Sequence, residues 1–176
     1  MDDPTSKTPL AKPAKATYRR NLPHLQMDGK PLFVTFSSAG RWVLPESVRG
    51  LVLEHCLHDH GTKLQMHVAV VMPDHVHLLF SAGRDTAGQA FGLAEIMSGI
   101  KGASAHRVNR FLGRKGSVWQ DESFDHVLRC DESVQDKADY ICMNPVRLGL
   151  VRTPDQYGWL WREWVEGVRG GSEGAT

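Results

Sequence analysis

Two strand-like runs, residues 63–72 (KLQMHVAVVM) and 75–81 (HVHLLFS), are separated only by Pro73 and Asp74. So short a Pro-Asp corner makes the two runs fold back on each other as an antiparallel hairpin. The second run alternates. With a period of two, His75 and His77 point to one face of the sheet while Val76, Leu78 and Phe80 point to the other, so one face is core and the other chemical.

The remaining elements are arranged around this hairpin. PLFVTFSS (31–38) reads as a strand, and PESVRGLVLEHCLHDHG (45–61) reads as a helix with Pro45 early and Gly61 just past its end. Phe91, Ile96, Ile100 and Val108 suggest a helix within residues 86–112, although several glycines interrupt it. SVWQDESFDHVLR (117–129) reads as a strand. A last helix is expected to begin at Asp131, with acidic residues in its first turn, and to stop near Asn144 because Pro145 disfavours helical geometry before it. The order β-α-β-β-α-β-α predicts an α+β fold. It is a ferredoxin-like β-α-β-β-α-β sandwich, an antiparallel sheet with helices on one face, plus a C-terminal helix carrying Tyr140.

A length of 176 residues, 41% of them hydrophobic and 23% charged, suits one domain with a real core. Residues 1–17 read as a disordered basic arm, 18–164 as the domain and 165–176 as a flexible Gly-rich tail. No apolar run approaches the roughly 18 residues a membrane span needs, and the N-terminus lacks a signal-peptide stretch, so a soluble, cytoplasmic protein is expected. The three cysteines, Cys56, Cys130 and Cys142, lack CxxC spacing and read as buried free thiols. A formal net charge of +1 decides little, because local charge makes a binding face. Arg19 and Arg20 extend a basic arm, and Arg107, Arg110, Arg114 and Lys115 form a second basic cluster. With Arg147 and Arg152 these are the candidate phosphate contacts, although a basic run is commonly just a solvated face.

Two imidazoles on same-side strand positions can converge on one divalent ion. The alternative is a pair of solvent-facing histidines. In DESVQDKADYICMNP, Val134, Ala138, Ile141 and Cys142 recur at helical spacing and would face the core, which leaves Tyr140 and Asn144 stacked at i, i+4 on the flank. Asn144 could offer an amide oxygen as a third ligand. Lys137, at i−3 from Tyr140, could steady a phosphate or favour a phenolate, since a phenol with its ordinary pKa near ~10 is a weak nucleophile at neutral pH. The alternative is a tyrosine ring packed at a helix edge. Trp119, Phe124 and the WLWREW segment are candidate stacking platforms for unpaired bases, against the commoner role of tryptophan as core.

The motifs VVMPDHVHLLF, SGIKGASAHRVN, VWQDESFDHVLR and YICMNPVRLGLV, in that order and preceded by YRRNLPHLQMDGKPLFVTFSS, closely resemble the REP-associated tyrosine transposases. These belong to the IS200-like, single-tyrosine HUH transposases, named for His-hydrophobic-His, and the resemblance runs from about Tyr18 to Trp164. It implies that residues 18–164 are one such domain, with His75 and His77 as metal ligands, Tyr140 as nucleophile and Asn144 contributing to the metal site. It further implies Mg2+ or Mn2+ as cofactor, no nucleotide cofactor, and single-stranded or hairpin DNA as partner. Cleavage and strand transfer would pass through a 5′-phosphotyrosine, in a bacterial, nucleoid-associated monomer or homodimer. Lys137 as a helper is a reading of the residues alone. Two other functions stay open: a non-catalytic nucleic-acid-binding module on the same fold, and a zinc-binding regulator using His55, Cys56, His58 and His60, which compete with the ordinary role of histidines at a helix C-terminus.

Overall fold

The computed structural model describes residues 29–129 and 132–163. The expected hairpin is its centre: β2 (Leu64–Val71) and β3 (His75–Ala82) pair antiparallel across the Pro73-Asp74 corner. β1 (Pro31–Ser38) pairs with β3, and β4 (Trp119–Val127) pairs with β1. The first four strands thus lie in the order β4-β1-β3-β2, and β5 (Leu160–Arg162) extends the sheet beyond β2. All pairs are antiparallel.

Helices α1 (Glu46–Leu57) and α2 (Leu93–Leu112) pack on one face. They enclose a core that contains Leu32, Val34 and Phe36 of β1 and Val76, Leu78 and Phe80 of β3, all at most 1% exposed. The histidines' strand alternates as its sequence predicts. Trp119 belongs to this core, where its indole N–H donates to Ser104 Oγ at 3.0 Å, so its one polar group is satisfied. Cys56 is a buried thiol pushed up to about 12 by desolvation, as inert as its sequence context suggested. Cys142 is likewise free and buried, while Cys130 lies outside the described residues.

The other face of the sheet is not open. Helix α3 (Val134–Cys142) seats Ala138, Ile141 and Cys142 against Phe33, Val68, Val70 and Leu79, making a second core beside the histidines. Ser133 starts it by accepting from Asp136 N–H at 3.1 Å, later than the Asp131 start read from sequence. Pro145 ends α3 as expected, but as an early residue of a further short helix, α4 (Asn144–Arg147), where its missing N–H costs nothing.

Two expectations about elements need correction. Helix α2 begins at Leu93 rather than Thr86, because Asp85 accepts from the backbone of Ala87 and Gln89, both at 2.9 Å, and Gly88 at φ +80 closes a turn that competes with helix. The WLWREW segment, a candidate stacking surface, instead supplies β5, with Trp159 and Trp161 packed against the core. Tyr157 anchors its approach by donating to Val71 O at 2.9 Å. At the opposite edge, Lys101 donates to the Gln120 and Asp121 carbonyls at 2.7 and 3.0 Å and so covers part of β4's free edge. Among the described residues, no helix is long and apolar enough to cross a membrane.

Ile141 is fully buried under α3 and holds the helix on the sheet. Ile141→Ala should cost about 2–5 kcal/mol of stability, read as a lower denaturation midpoint with an unchanged slope. A change below about 0.5 kcal/mol, the range of ordinary surface substitutions, would show that α3 is not seated as described.

Candidate active site

The register of the sheet puts His77 opposite Thr35 of β1 and His75 opposite Ser37. Directly opposed residues share a face, so polar neighbours come with the pairing. His77 Nδ1 lies 2.7 Å from Thr35 Oγ1, and His75 Nδ1–H donates to Asp74 Oδ1 at 2.6 Å. Arg41 NH1 sits 3.2 Å from the other Asp74 oxygen. Burial alone would raise the Asp74 carboxyl, but the hydrogen bond from His75 and the charges of His75 and Arg41 hold it below the ordinary carboxylate value. Asp74 is therefore a fixed acceptor, and it dictates which nitrogen of His75 carries a proton.

The two Nε2 atoms then face each other 3.2 Å apart. His77, only 8% exposed, is pushed down to about 3, first by desolvation and second by His75, so its ring is neutral near pH 7 and keeps a lone pair. Thr35 can donate to Nδ1 or accept from it, and so supports either tautomer. With Nδ1–H on both rings, two lone pairs aim into one gap. Two nitrogens that each lie ~2.1 Å from a shared ion, at cis or tetrahedral angles, stand ~3.0–3.4 Å apart. The pair has that spacing, and each ring already has the hydrogen-bond partner that orients an imidazole ligand. The residues fit a divalent ion.

Tyr140, the last residue but two of α3, brings its ring to 6.5 Å from the His77 ring and stays 44% exposed. Arg147 lies over that ring with its guanidinium carbon 4.6 Å from the centroid, and Lys137 Nζ lies 5.8 Å from it. Lys137 is also 5.0 Å from the ring of Phe33, which in turn stacks on His77 with centroids 5.6 Å apart. One phenol thus lies near two cations and beside the imidazole pair. Asn144 is tied to the tyrosine's backbone: its Nδ2 donates to Tyr140 O at 3.0 Å, which leaves its amide oxygen as the atom able to ligate.

The other candidates fall elsewhere. Arg107 and Arg110 are exposed on α2, with Lys115 in the loop after it, and α2 covers the face opposite the histidines. Arg114 is partly exposed, its guanidinium 3.9 Å from the Trp42 ring centroid and its NH2 donating to Ser117 O at 3.4 Å. Arg152 is exposed, with its backbone N–H donated to Gln156. Arg19 and Arg20 lie outside the described residues. The EHCLHDHG histidines do not converge: His58 contacts Asp59, His60 Nδ1 accepts from Met66 N–H, and Cys56 is buried in the core. Among the described residues no group of three or more His, Cys, Asp or Glu side chains is placed to hold a metal.

Sequence reasoning missed Asp74, Thr35 and the true place of Arg147. Asp74 could have been found as the neighbour of His75 in the same corner. Thr35 could not, since only the β1–β3 register places it.

Residues 46–142 match the family model described as "Transposase IS200 like". The chain belongs to the IS200-like transposase family. It is 29% identical, over 86 residues, to a Haemophilus influenzae protein described as a REP-associated tyrosine transposase; the match takes in 46% of this chain and spans about half, 49%, of that relative's length. A solved structure titled as a REP-associated tyrosine transposase bound to a REP hairpin superposes with a TM-score of 0.56 at 20% identity, over 75% of this chain and 76% of that one, and shares the fold.

The depressed His77 pKa fixes the sign of a pH effect. Between its ordinary 6.5 and about 3, the unfolded chain binds a proton that the folded chain refuses. This contribution to stability is therefore undiminished above pH 6.5 and is lost as pH falls towards 3. In metal-free protein the His77 ring resonances should stay constant from neutral pH down to about pH 4. Titration of His77 near the ordinary histidine value of ~6.5 would contradict the burial described.

Proposed function

We propose that this protein cuts a single DNA strand and rejoins it to another, with Tyr140 as the nucleophile and His75, His77 and Asn144 holding Mg2+ or Mn2+. The observation that carries this reading is the convergence of a half-exposed phenol, two nearby cations and two imidazole Nε2 atoms 3.2 Å apart at one place on the sheet. Membership of the transposase family supports it. A structurally similar protein is described as bound to a REP hairpin, and a hairpin-bearing single strand is the substrate we assign.

The chain's residues account for the chemistry. The Tyr140 phenol gives its proton to solvent as its oxygen attacks the phosphorus in line; the bond to the 3′-oxygen of the upstream strand breaks, and that oxygen takes a proton from solvent and leaves as a 3′-hydroxyl. Lys137 and Arg147 would receive the negative charge of a phosphate placed beside the phenol. A bound Mg2+ or Mn2+ supplies Lewis-acid polarisation of the scissile phosphate. Asp74 and Thr35 hold the imidazoles in place throughout. The product, a 5′-phosphotyrosine, preserves a phosphate ester, so a second 3′-hydroxyl can reverse the step and join strands without ATP. Arg147 and Arg152 remain the candidate phosphate contacts nearest the tyrosine in sequence.

Incubated with Mg2+ or Mn2+ and a labelled hairpin-bearing single strand, the protein should form a covalent adduct on the 5′ end of the downstream fragment, mapping to Tyr140. Tyr140→Phe keeps the ring and its packing, so binding should persist while cleavage falls to background. Cleavage without an adduct would point to activated water, and efficient cutting by the Phe variant would assign the nucleophile elsewhere.

A further inference from the structure

β4 carries an aromatic residue that neither the core nor the cutting chemistry uses. Phe124 is 60% exposed, although it sits in the middle of a paired strand. A single exposed apolar side chain is ordinary. Its position is not.

In the β1–β4 register Phe124 is opposite Thr35, and in the β1–β3 register Thr35 is opposite His77. The three form one row across neighbouring strands on the same face, which places Phe124 two strands, or roughly 10 Å, from the histidine pair. Phe33 fills the angle between them: its ring lies edge-on to Phe124 at 6.2 Å and stacked on His77 at 5.6 Å. Phe33 is 7% exposed and so fixes the flank of the Phe124 ring. Phe111, another exposed phenylalanine among the described residues, is on α2, across the sheet from the histidines. Among the described residues Trp119, Trp159 and Trp161, the other aromatic candidates from the sequence, are packed into or against the core, and Trp164 lies outside the described residues.

The charge around the ring narrows what it can take. Lys137 and Arg147 flank the tyrosine end of this surface, whereas β4 itself exposes Asp121 and Glu122. Phosphates are drawn to the first and repelled by the second. A single strand crossing this face therefore lays its backbone towards Tyr140 and meets β4 with a base.

We infer that Phe124 is a stacking platform for an unpaired nucleobase close to the scissile phosphate, and that it sets how the single strand is positioned over the histidine pair. The inference rests on the strand-cutting reading, but binding tests it separately. A fluorescein-labelled oligothymidylate in chelator, where no cutting occurs, is titrated with full-length protein. Phe124→Ala should weaken binding about 5- to 100-fold, the span of one base–aromatic stack, and Phe124→Trp should restore or tighten it. An oligomer of the same length made of abasic sites should bind wild type and the Ala variant alike. Because the ring is mostly exposed, thermal unfolding of both variants should stay near wild type. Wild-type affinity in the Ala variant, equal losses for the basic and abasic strands, or a wild type that does not distinguish the two strands would each overturn the platform. Phe124-dependent binding with neither cleavage nor a Tyr140 adduct in Mg2+ or Mn2+ would instead overturn strand cutting and leave the platform standing.

Discussion

The seating of α3 on the histidine face of the sheet is the contact on which the site depends. A strand that alternates histidine with core residues gives that face a mixed character, with polar His75 and His77 at one end and apolar Leu79 beyond them. Val68, Val70 and Phe33 extend the apolar part across neighbouring strands. Burying it contributes roughly 1.5–3 kcal/mol per large side chain, enough to hold a nine-residue helix that would be marginal alone. Once Ala138 and Ile141 point inward, helical geometry leaves Lys137 and Tyr140 at the rim, and the α3–α4 junction brings Arg147 over the phenol. Fold stability and site geometry are the same contact.

The polar half of that face obeys a different constraint. A buried imidazole must find partners, and Thr35 and Asp74 supply them. The outcome is two imidazole Nε2 atoms aimed at each other, with His77 desolvated at a cost to its charged form. Local choices that contradict stability tend to mark function. The acidic β4 strand beside the face we propose for DNA has the same quality, since it leaves aromatic surface rather than positive charge as what that edge can offer.

Much of this was legible in the sequence because the governing signals are local. The Pro-Asp corner, the alternation in HVHLLF and the helical spacing of Ala138, Ile141 and Cys142 each act within a few residues, and each is found in the structure. The element order was enough to give the sheet. Non-local facts were out of reach. Thr35 meets His77 across 42 positions of chain, and no pattern in residues 31–38 announces that register. β5 is three residues long, too short for a period to show, so the strand holding Trp161 was not read from sequence. Arg114 and Arg147 look alike in sequence, yet one lies on Trp42 and the other on Tyr140. The turn at Asp85 was readable in principle, from Asp followed three residues later by Gly, but it was outweighed by the apolar spacing that follows it.

The paired Nε2 atoms are proposed as a two-nitrogen clamp for one ion, beside the ring of Tyr140. Electron spin-echo spectroscopy of Mn2+ added to the full chain bears on it most directly, because it counts the nitrogens bound to the ion independently of any DNA chemistry. Two imidazole couplings of similar strength are expected, one disappearing in His75→Ala and the other in His77→Ala. Mn2+ that shows no nitrogen coupling, or a single coupling unaffected by either substitution, would contradict the site as built.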